Sequence, residues 1–320
     1  MIISKTPLRV SLVGGGTDFE SFYEKHGGCV VSMAIDKYVY VIVKERFDDL
    51  IVLNYTQHEI VEKVKDIKHD LIRECLQFVG IEGGIEISTL ADIPSAGSGL
   101  GSSSAIIIGL LNALLGHIGE SSDHKELADF ACHIEIDLLK TPIGRQDQYA
   151  CAFGGLNQIW FDAKGIGVIP LSGVGFSITD NLFLHYTEIT RQSKSILKEQ
   201  QNNIENNMGI LLHMKELAEQ TKEDLVKGNY DQVGEAIGIG WTYKKCLAGN
   251  ITNPEIDKII DHAYKSGALG VKLLGAGAGG FVLSYVKPEN HIRFRQGMCK
   301  YRELPFKIDP YGTRIIFNIL

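Results

Sequence analysis

No two cysteines in this 320-residue chain are spaced C-x-x-C, and the six present (Cys29, Cys75, Cys132, Cys151, Cys246, Cys299) show no zinc-like interval. This argues against a disulfide scaffold and a cysteine-held metal, and for reduced thiols in the cytosol. An excess of positive charge is also lacking: 32 basic residues against 39 acidic ones leave a net charge of −7. The chain therefore carries no electrostatic footprint for nucleic acid or an anionic membrane. Long apolar runs are missing as well. The most apolar helix candidate, Ala105 to Leu115, falls short of the ~20 residues needed to cross a bilayer. The N-terminal residues have no signal-peptide core, so a cytoplasmic protein is expected. Internal repeats and low-complexity tracts are absent, and so is G-x-x-x-x-G-K-[ST], which excludes a Walker A loop.

What the chain has in abundance is glycine, 35 residues against the roughly 7 % usual in globular proteins. The glycines cluster, which points to special backbone geometry. With 44 % hydrophobic and 22 % charged residues, the chain can bury a sizeable core. Strand-like runs lie at Leu8–Val13, Cys29–Ile35, Tyr38–Lys44, Gly84–Thr89, Leu156–Phe161, Leu182–Tyr186 and Thr313–Asn318, the second and third rich in β-branched and aromatic residues. Helical spacing predicts helices at Asp66–Val79, Ala105–Ile118, His124–Leu139, Thr190 to about Gln220, Tyr230–Ala248, Pro254–Lys265 and near Pro288–Gly297. Thr17 and Glu20 match a capping box. Glycines at 165, 167, 173 and 175 mark a soft boundary, giving domains 1–170 and 171–320.

The central run reads Pro94-Ser95-Ala96-Gly97-Ser98-Gly99-Leu100-Gly101-Ser102-Ser103-Ser104 and leads straight into an apolar helix. Glycines let successive amides converge on one point, and the helix head adds unsatisfied N–H donors and partial positive charge. Together they make an anion site suited to phosphates, with serine hydroxyls as extra donors or metal ligands. The dinucleotide reading fails, because the glycines are not spaced G-x-G-x-x-G. A tight turn with ordinary serine caps is the plainer alternative.

This run resembles the nucleotide-phosphate motif of the GHMP kinases. Two other stretches resemble that family's remaining motifs, in the right order: Leu8 to Phe19 at the N-terminus and Lys272-Leu273-Leu274-Gly275-Ala276-Gly277-Ala278-Gly279-Gly280-Phe281 near the end. The resemblance implies an ATP- and magnesium-dependent kinase of small molecules. It implies an α+β, two-lobed fold, with an N-terminal lobe like domain 2 of ribosomal protein S5 and a ferredoxin-like C-terminal lobe. ATP phosphates would lie on Pro94, Gly97, Ser98, Gly99, Leu100, Gly101, Ser102, Ser103 and Ser104.

Phosphoryl transfer needs mainly positioning and charge neutralisation. By resemblance Asp147 is the catalytic carboxylate, with a helix N-cap as its alternative role. Arg9 is the basic residue near the acceptor oxygen, the alternative being a surface arginine. Glu135 and Ser103 would hold magnesium, with Ser102 and Ser104 open as neighbours in the triple serine; a solvated helix face is the other reading of Glu135. Gly15, Gly16, Thr17, Asp18, Arg191 and Gly277 would face the substrate, and Asp18 otherwise serves a helix dipole.

Gly14-Gly15-Gly16-Thr17-Asp18 departs from the galactokinase form of the first motif. That form, together with Arg145-Gln146-Asp147-Gln148-Tyr149 and Tyr186-Thr187-x-x-Thr190-Arg191, resembles bacterial heptose kinases, although Glu188 stands where a glycine is expected. The resemblance implies transfer to the anomeric hydroxyl of D-glycero-D-manno-heptose 7-phosphate, on the GDP-heptose route. Arg191, Lys194, Lys244 and Lys245 are candidates for its phosphate. An unphosphorylated sugar such as fucose, or a non-catalytic sugar-binding regulator, are the alternatives. The expected partner is a small sugar or sugar phosphate, with no nucleic acid and no membrane.

Overall fold

The computed structural model describes residues 1–93, 97–171, 173, 178–190 and 194–319. The β-branched runs at the start of the chain become two long antiparallel strands, β1 (Ile2–Val13) and β2 (Gly28–Glu45). The sequence pattern breaks at Asp36-Lys37, yet the strand runs through. Its register with β1 shifts there, opposite Pro7, which has no amide to give a ladder. The Asp36 amide instead donates to Lys307 O at 2.9 Å. Between the two strands lies the short helix α1 (Glu20–His26), whose N-cap is Phe19 with no side-chain cap. The expected Thr17/Glu20 capping box is therefore not formed, because the Thr17 hydroxyl is used elsewhere.

The first lobe continues with β3 (Ile51–Asn54), β4 (His58–Val61), α2 (Asp70–Val79) and β5 (Ile85–Ala91). Next come α3 (Ser102–His117), α4 (His124–Cys132), α5 (Gln146–Phe153), β6 (Leu156–Asp162) and β7 (Gly165–Pro170). β3, β4 and β7 are short or glycine-bearing and left no clear alternation in the sequence. α3 is apolar almost all round and accordingly buried, packed on β1 and β2. The helix expected over His124–Leu139 changes character after Cys132. His133–Leu138 is a π-helical turn, with the Leu139 amide reaching Ile134 O at 3.0 Å.

The second lobe holds β8 (Leu182–Tyr186), α6 (Lys194–Asn202), α7 (Met208–Lys227), α8 (Tyr230–Lys245) and α9 (Pro254–Ser266). It ends with β9 (Ala268–Leu273), β10 (Phe281–Val286) and α10 (His291–Met298), before the chain's last strand, β11 (Arg314–Asn318). The long polar helix expected from Thr190 is two helices, α6 and α7, parted at an asparagine cluster. Asn207 there gives its side-chain amide to Leu247 O at 3.1 Å.

One sheet runs β11-β1-β2-β5-β3-β4, with β6 also on β2 and β7 on β6; the other is β8-β10-β9. The change of sheet falls between β7 and β8, while β11 returns to pair with β1 in the first lobe. There are two apolar cores: one fills the first lobe and reaches into the second at Leu184, Leu283 and Tyr285, and the other lies in the second lobe around Trp241 and Phe294 and takes in Phe19 and Phe22 at α1. Among the described residues no helix is long and apolar enough to cross a membrane.

Candidate active site

The two lobes meet at a cleft where three glycine runs converge. The central loop enters α3 through Gly101, which takes a left-handed conformation as N-cap. The loop is braced from the other lobe. Gly99 has φ +74° and Gly275 φ +72°, and a Cβ on Gly275 would lie 2.5 Å from Gly99 Cα. A Cβ on Gly99 would lie 2.7 Å from Leu274 O. The glycines thus let two backbones touch, which sets the phosphate loop against the C-terminal glycine turn.

Arg9, on β1, is 5 % exposed and grips both the loop and the catalytic candidate. Its Nε and Nη2 donate to Asp147 Oδ1 and Oδ2 at 2.6 and 2.5 Å, and its Nη1 donates to Gly99 O at 2.6 Å. Its amide donates to Leu100 O at 2.9 Å. Burial alone would lower the guanidinium's pKa; the charge and hydrogen bonds of Asp147 outweigh burial and raise it. Arg9 is not a surface arginine. Asp147 lies in the first turn of α5, whose N-cap is Arg145, so it is not the helix cap.

Glu135 is 2 % exposed, inside the π-helical turn, and so is not on a solvated face. It accepts from Ser103 Oγ at 2.6 Å, Ser104 Oγ at 2.9 Å and Gln148 Nε2 at 2.7 Å. Burial pushes its carboxyl up against these three bonds, and Asp147 adds to the rise. Of the serines bonded to it, Ser103 is exposed to the cleft and Ser104 is buried. A hard divalent cation with few protein ligands fits this Ser103–Glu135 oxygen pair. Among the described residues no cluster of three or more His, Cys, Asp or Glu could hold a metal.

Asp18 is buried beyond the end of β1. Its Oδ1 accepts the Gly16 amide at 2.8 Å and its Oδ2 the Gln146 amide at 3.1 Å. Gly144 packs so closely on this carboxylate that any Cβ would overlap Oδ2. Burial, then the charge of Asp147, raise its pKa. Asp18 precedes α1 and points into the cleft, so the helix-dipole role does not hold. Beside it, Ser11 Oγ and Gln146 Oε1 line the cleft and are buried without a hydrogen-bond partner among the described residues.

Two expected contact residues face away. Thr17 is fully buried and outside the cleft lining; its Oγ1 lies 2.9 Å from Gly14 O and 3.0 Å from Cys29 O and accepts the Cys29 amide at 3.1 Å. It fixes the loop that carries Asp18. Leu100 is likewise buried, its side chain in the first core. Gly15, Gly16, Gly97, Ser98, Gly99, Gly101, Ser102 and Gly277 do line the cleft. Pro94 and Arg191 lie outside the described residues. Lys194 and Lys245 are exposed outside the cleft lining, whereas Lys244 enters it.

The sequence reading assigned no role to Lys272. It sits on β9, 5 % exposed, and donates to Ser11 O and Leu12 O at 2.9 Å each, where β1 shifts register. A lone lysine inside the apolar strand Ala268–Leu273 was the available signal. Gln146 and Gln148 were also passed over; their signal was only adjacency to Asp147.

A loop of amides at a helix head, opposed by an arginine-held carboxylate, defines a phosphotransferase. The family models agree: GHMP kinases N-terminal domain matches residues 60–155 and GHMP kinases C-terminal matches 221–301. The chain belongs to the GHMP kinase family, with the two-lobed α+β fold of that family. It is 30 % identical to the D-glycero-α-D-manno-heptose 7-phosphate kinase of Campylobacter jejuni, over 93 % of each chain. It is also 30 % identical to the L-fucokinase/L-fucose-1-P guanylyltransferase of Bacteroides fragilis, over 92 % of this chain and 36 % of that longer protein. The crystal structure of a D-glycero-D-manno-heptose 1-phosphate kinase from Bacteroides thetaiotaomicron superposes with a TM-score of 0.82, at 24 % identity and full coverage of both chains. The protein is thus an ATP-dependent enzyme, a sugar kinase transferring phosphoryl to an alcohol.

Proposed function

We propose that this kinase phosphorylates the anomeric hydroxyl of D-glycero-D-manno-heptose 7-phosphate to the 1,7-bisphosphate, in the cytoplasm, on the way to GDP-heptose. The observation that carries the chemistry is the Arg9–Asp147 pair, bonded through two nitrogens and anchored to Gly99 of the phosphate loop. The sugar is supported by the Campylobacter relative, a kinase of that heptose phosphate.

In this reading the triphosphate lies on the amides of Gly97–Ser104. Asp147 takes the proton of the acceptor hydroxyl as its oxygen bonds to the terminal phosphorus. The bond from that phosphorus to the bridging oxygen breaks, and ADP leaves. Arg9 fixes the carboxylate's orientation and stabilises charge developing on the acceptor oxygen. Asp147 is about one quarter exposed, so its proton can pass on to water. Asp18 keeps lone pairs for sugar hydroxyls, and the unpartnered Ser11 Oγ and Gln146 Oε1 beside it suit the same polyol. Magnesium, held by Ser103 and Glu135, would neutralise charge on the phosphate oxygens. Arg191 is the proposed contact for the 7-phosphate. If Arg191→Ala left the Michaelis constant for the phosphorylated sugar unchanged, that assignment would be wrong.

A second reading is a kinase of an unphosphorylated sugar, such as a fucokinase. It is favoured by the fact that, of the described basic candidates, only Lys244 enters the cleft. A non-catalytic regulator is disfavoured by the complete set of Arg9, Asp147, Glu135 and Ser103. The deciding experiment is ADP release with magnesium over hexoses, heptoses and their phosphates, with phosphorus NMR of the product. Turnover confined to sugars without a phosphate would overturn the heptose 7-phosphate reading.

A further inference from the structure

Arg9 spends its charge on Asp147, so besides the proposed magnesium the group in flight has no unpaired side-chain cation of the first lobe among the described cleft residues. A second cation comes from the other lobe. Lys244, near the end of α8, turns its ammonium into the cleft and donates to Gly275 O. Among the described residues it forms no ion pair, and a carbonyl is its only hydrogen-bond partner. An ammonium has three donors, so two remain free. A charge held this way in a cleft is under-compensated and suits an arriving anion.

Position says which anion. Gly275, which Lys244 holds, is the residue whose backbone touches Gly99, and Gly99 O is the acceptor of Arg9 Nη1. Lys244 and Arg9 therefore approach one turn of the phosphate loop from opposite lobes. Charge interactions link Lys244 to Arg9, Asp147 and Asp18, the groups around the transfer point.

We propose that Lys244 is a phosphoryl-binding catalytic residue, whose Nζ takes the oxygens of the nucleotide's terminal phosphate opposite Arg9. The assignment rests on the reading that the triphosphate lies on Gly97–Ser104. The lysine gives up no proton; it offsets charge on the equatorial oxygens while the acceptor bond forms and the bridging bond breaks.

The test compares Lys244→Met with Lys244→Arg. Affinities for a non-hydrolysable ATP analogue and for ADP are measured by calorimetry, alongside steady-state rates on a phosphorylated and an unphosphorylated sugar. Lys244→Met is expected to weaken the analogue about tenfold, leave ADP within about twofold, and lower kcat about a hundredfold on both sugars. Lys244→Arg should recover part of each loss. Unchanged analogue affinity would overturn the proposal. So would a rise in Michaelis constant restricted to the phosphorylated sugar, which would hand the lysine to the acceptor's phosphate. Circular dichroism checks the fold, and if Lys244→Met fails it, Lys244→Gln reads the same arms. Failure of the heptose reading is separately visible as wild-type inactivity on heptose 7-phosphate, and it leaves the nucleotide affinities interpretable.

Discussion

The two walls of the cleft handle charge in opposite ways. On the first-lobe wall each ionised group has partners before any ligand arrives: Arg9 with Asp147, and Glu135 with two serines and a glutamine. On the second-lobe wall, among the described residues, Lys244 and Lys272 rest on backbone carbonyls alone. The first wall is preorganised and its geometry is fixed by its own hydrogen bonds. The second holds the Lys244 ammonium without an ion-pair partner among the described residues, with Asp147 and Asp18 acting on it only across the cleft. A kinase cleft needs both: a fixed acceptor side, and a cationic side that the triphosphate completes.

The severest way to break the first wall is Asp147→Asn. It keeps one acceptor for Arg9 but removes the base, and turnover is expected to fall about 10²–10⁴-fold. Loss of the charge-assisted bond should cost about 1–3 kcal/mol of stability, read by urea denaturation. Affinity for an ATP analogue should stay close to wild type. Near-normal turnover would remove Asp147 from catalysis.

The seam between the walls is tested by Gly99→Ala. The new methyl meets Leu274 O at a φ of +74°, so the loop must shift or the lobes part. A cost of about 1–3 kcal/mol is expected, with weaker binding of the ATP analogue. Gly275→Ala strains the same contact, so the double variant should cost less than the sum of the singles. Strict additivity would show that the two glycines do not brace each other. Next in size is Glu135→Gln, expected to raise the half-saturating magnesium concentration about tenfold while the fold survives. A magnesium titration of activity that overlays the wild type would separate Glu135 from the metal.

Much of the first wall was readable in advance because its residues sit in short contiguous motifs. Arg9, Asp18, the glycine–serine run and Asp147 were picked out in this way and Glu135 by family resemblance alone, and the structure gathers them at one cleft. Thr17 and Leu100 belong to the same motifs yet face the core: a motif names a loop, and only the folded backbone decides which side chain turns outward. On the second wall the glycine turn was legible in the Lys272–Phe281 motif, but the roles of its lysines were not. Lys244 was grouped with Arg191, Lys194 and Lys245 as a candidate for a basic pocket, and nothing in the sequence singled it out as the lysine that faces the cleft. Lys272 looked like part of a glycine motif until β9 placed it against β1. In the fold, the short apolar run Leu182–Tyr186 was read as a strand with the bounds observed in β8, whereas β3 and β4 were missed because they are only four residues each and β3 is held in the sheet by its pairing with the distant β5.

The smallest effect concerns the second wall at rest. Burial, then the charge of Arg9, lower the Lys244 pKa to about 8, while Asp147 and Asp18 pull the other way; Lys272 is the remaining titratable neighbour. In the unfolded chain the same lysine titrates near an ordinary ~10.4. Between those two values the unfolded state binds more protons, so the Lys244 contribution to stability rises with pH through this window and is lost as pH falls through 8. Compared with Lys244→Met, the wild type should gain on the order of 1 kcal/mol in urea denaturation between pH 7.5 and 9.5. A bound ATP analogue should reverse the sign, because a phosphate beside Lys244 favours the charged ammonium. The stabilisation that the analogue confers should then shrink as pH rises, and shrink less in Lys244→Met. Parallel curves for the two proteins without nucleotide would mean that the ammonium is not under-compensated at rest, and the contrast between the walls would fail on its second-lobe side.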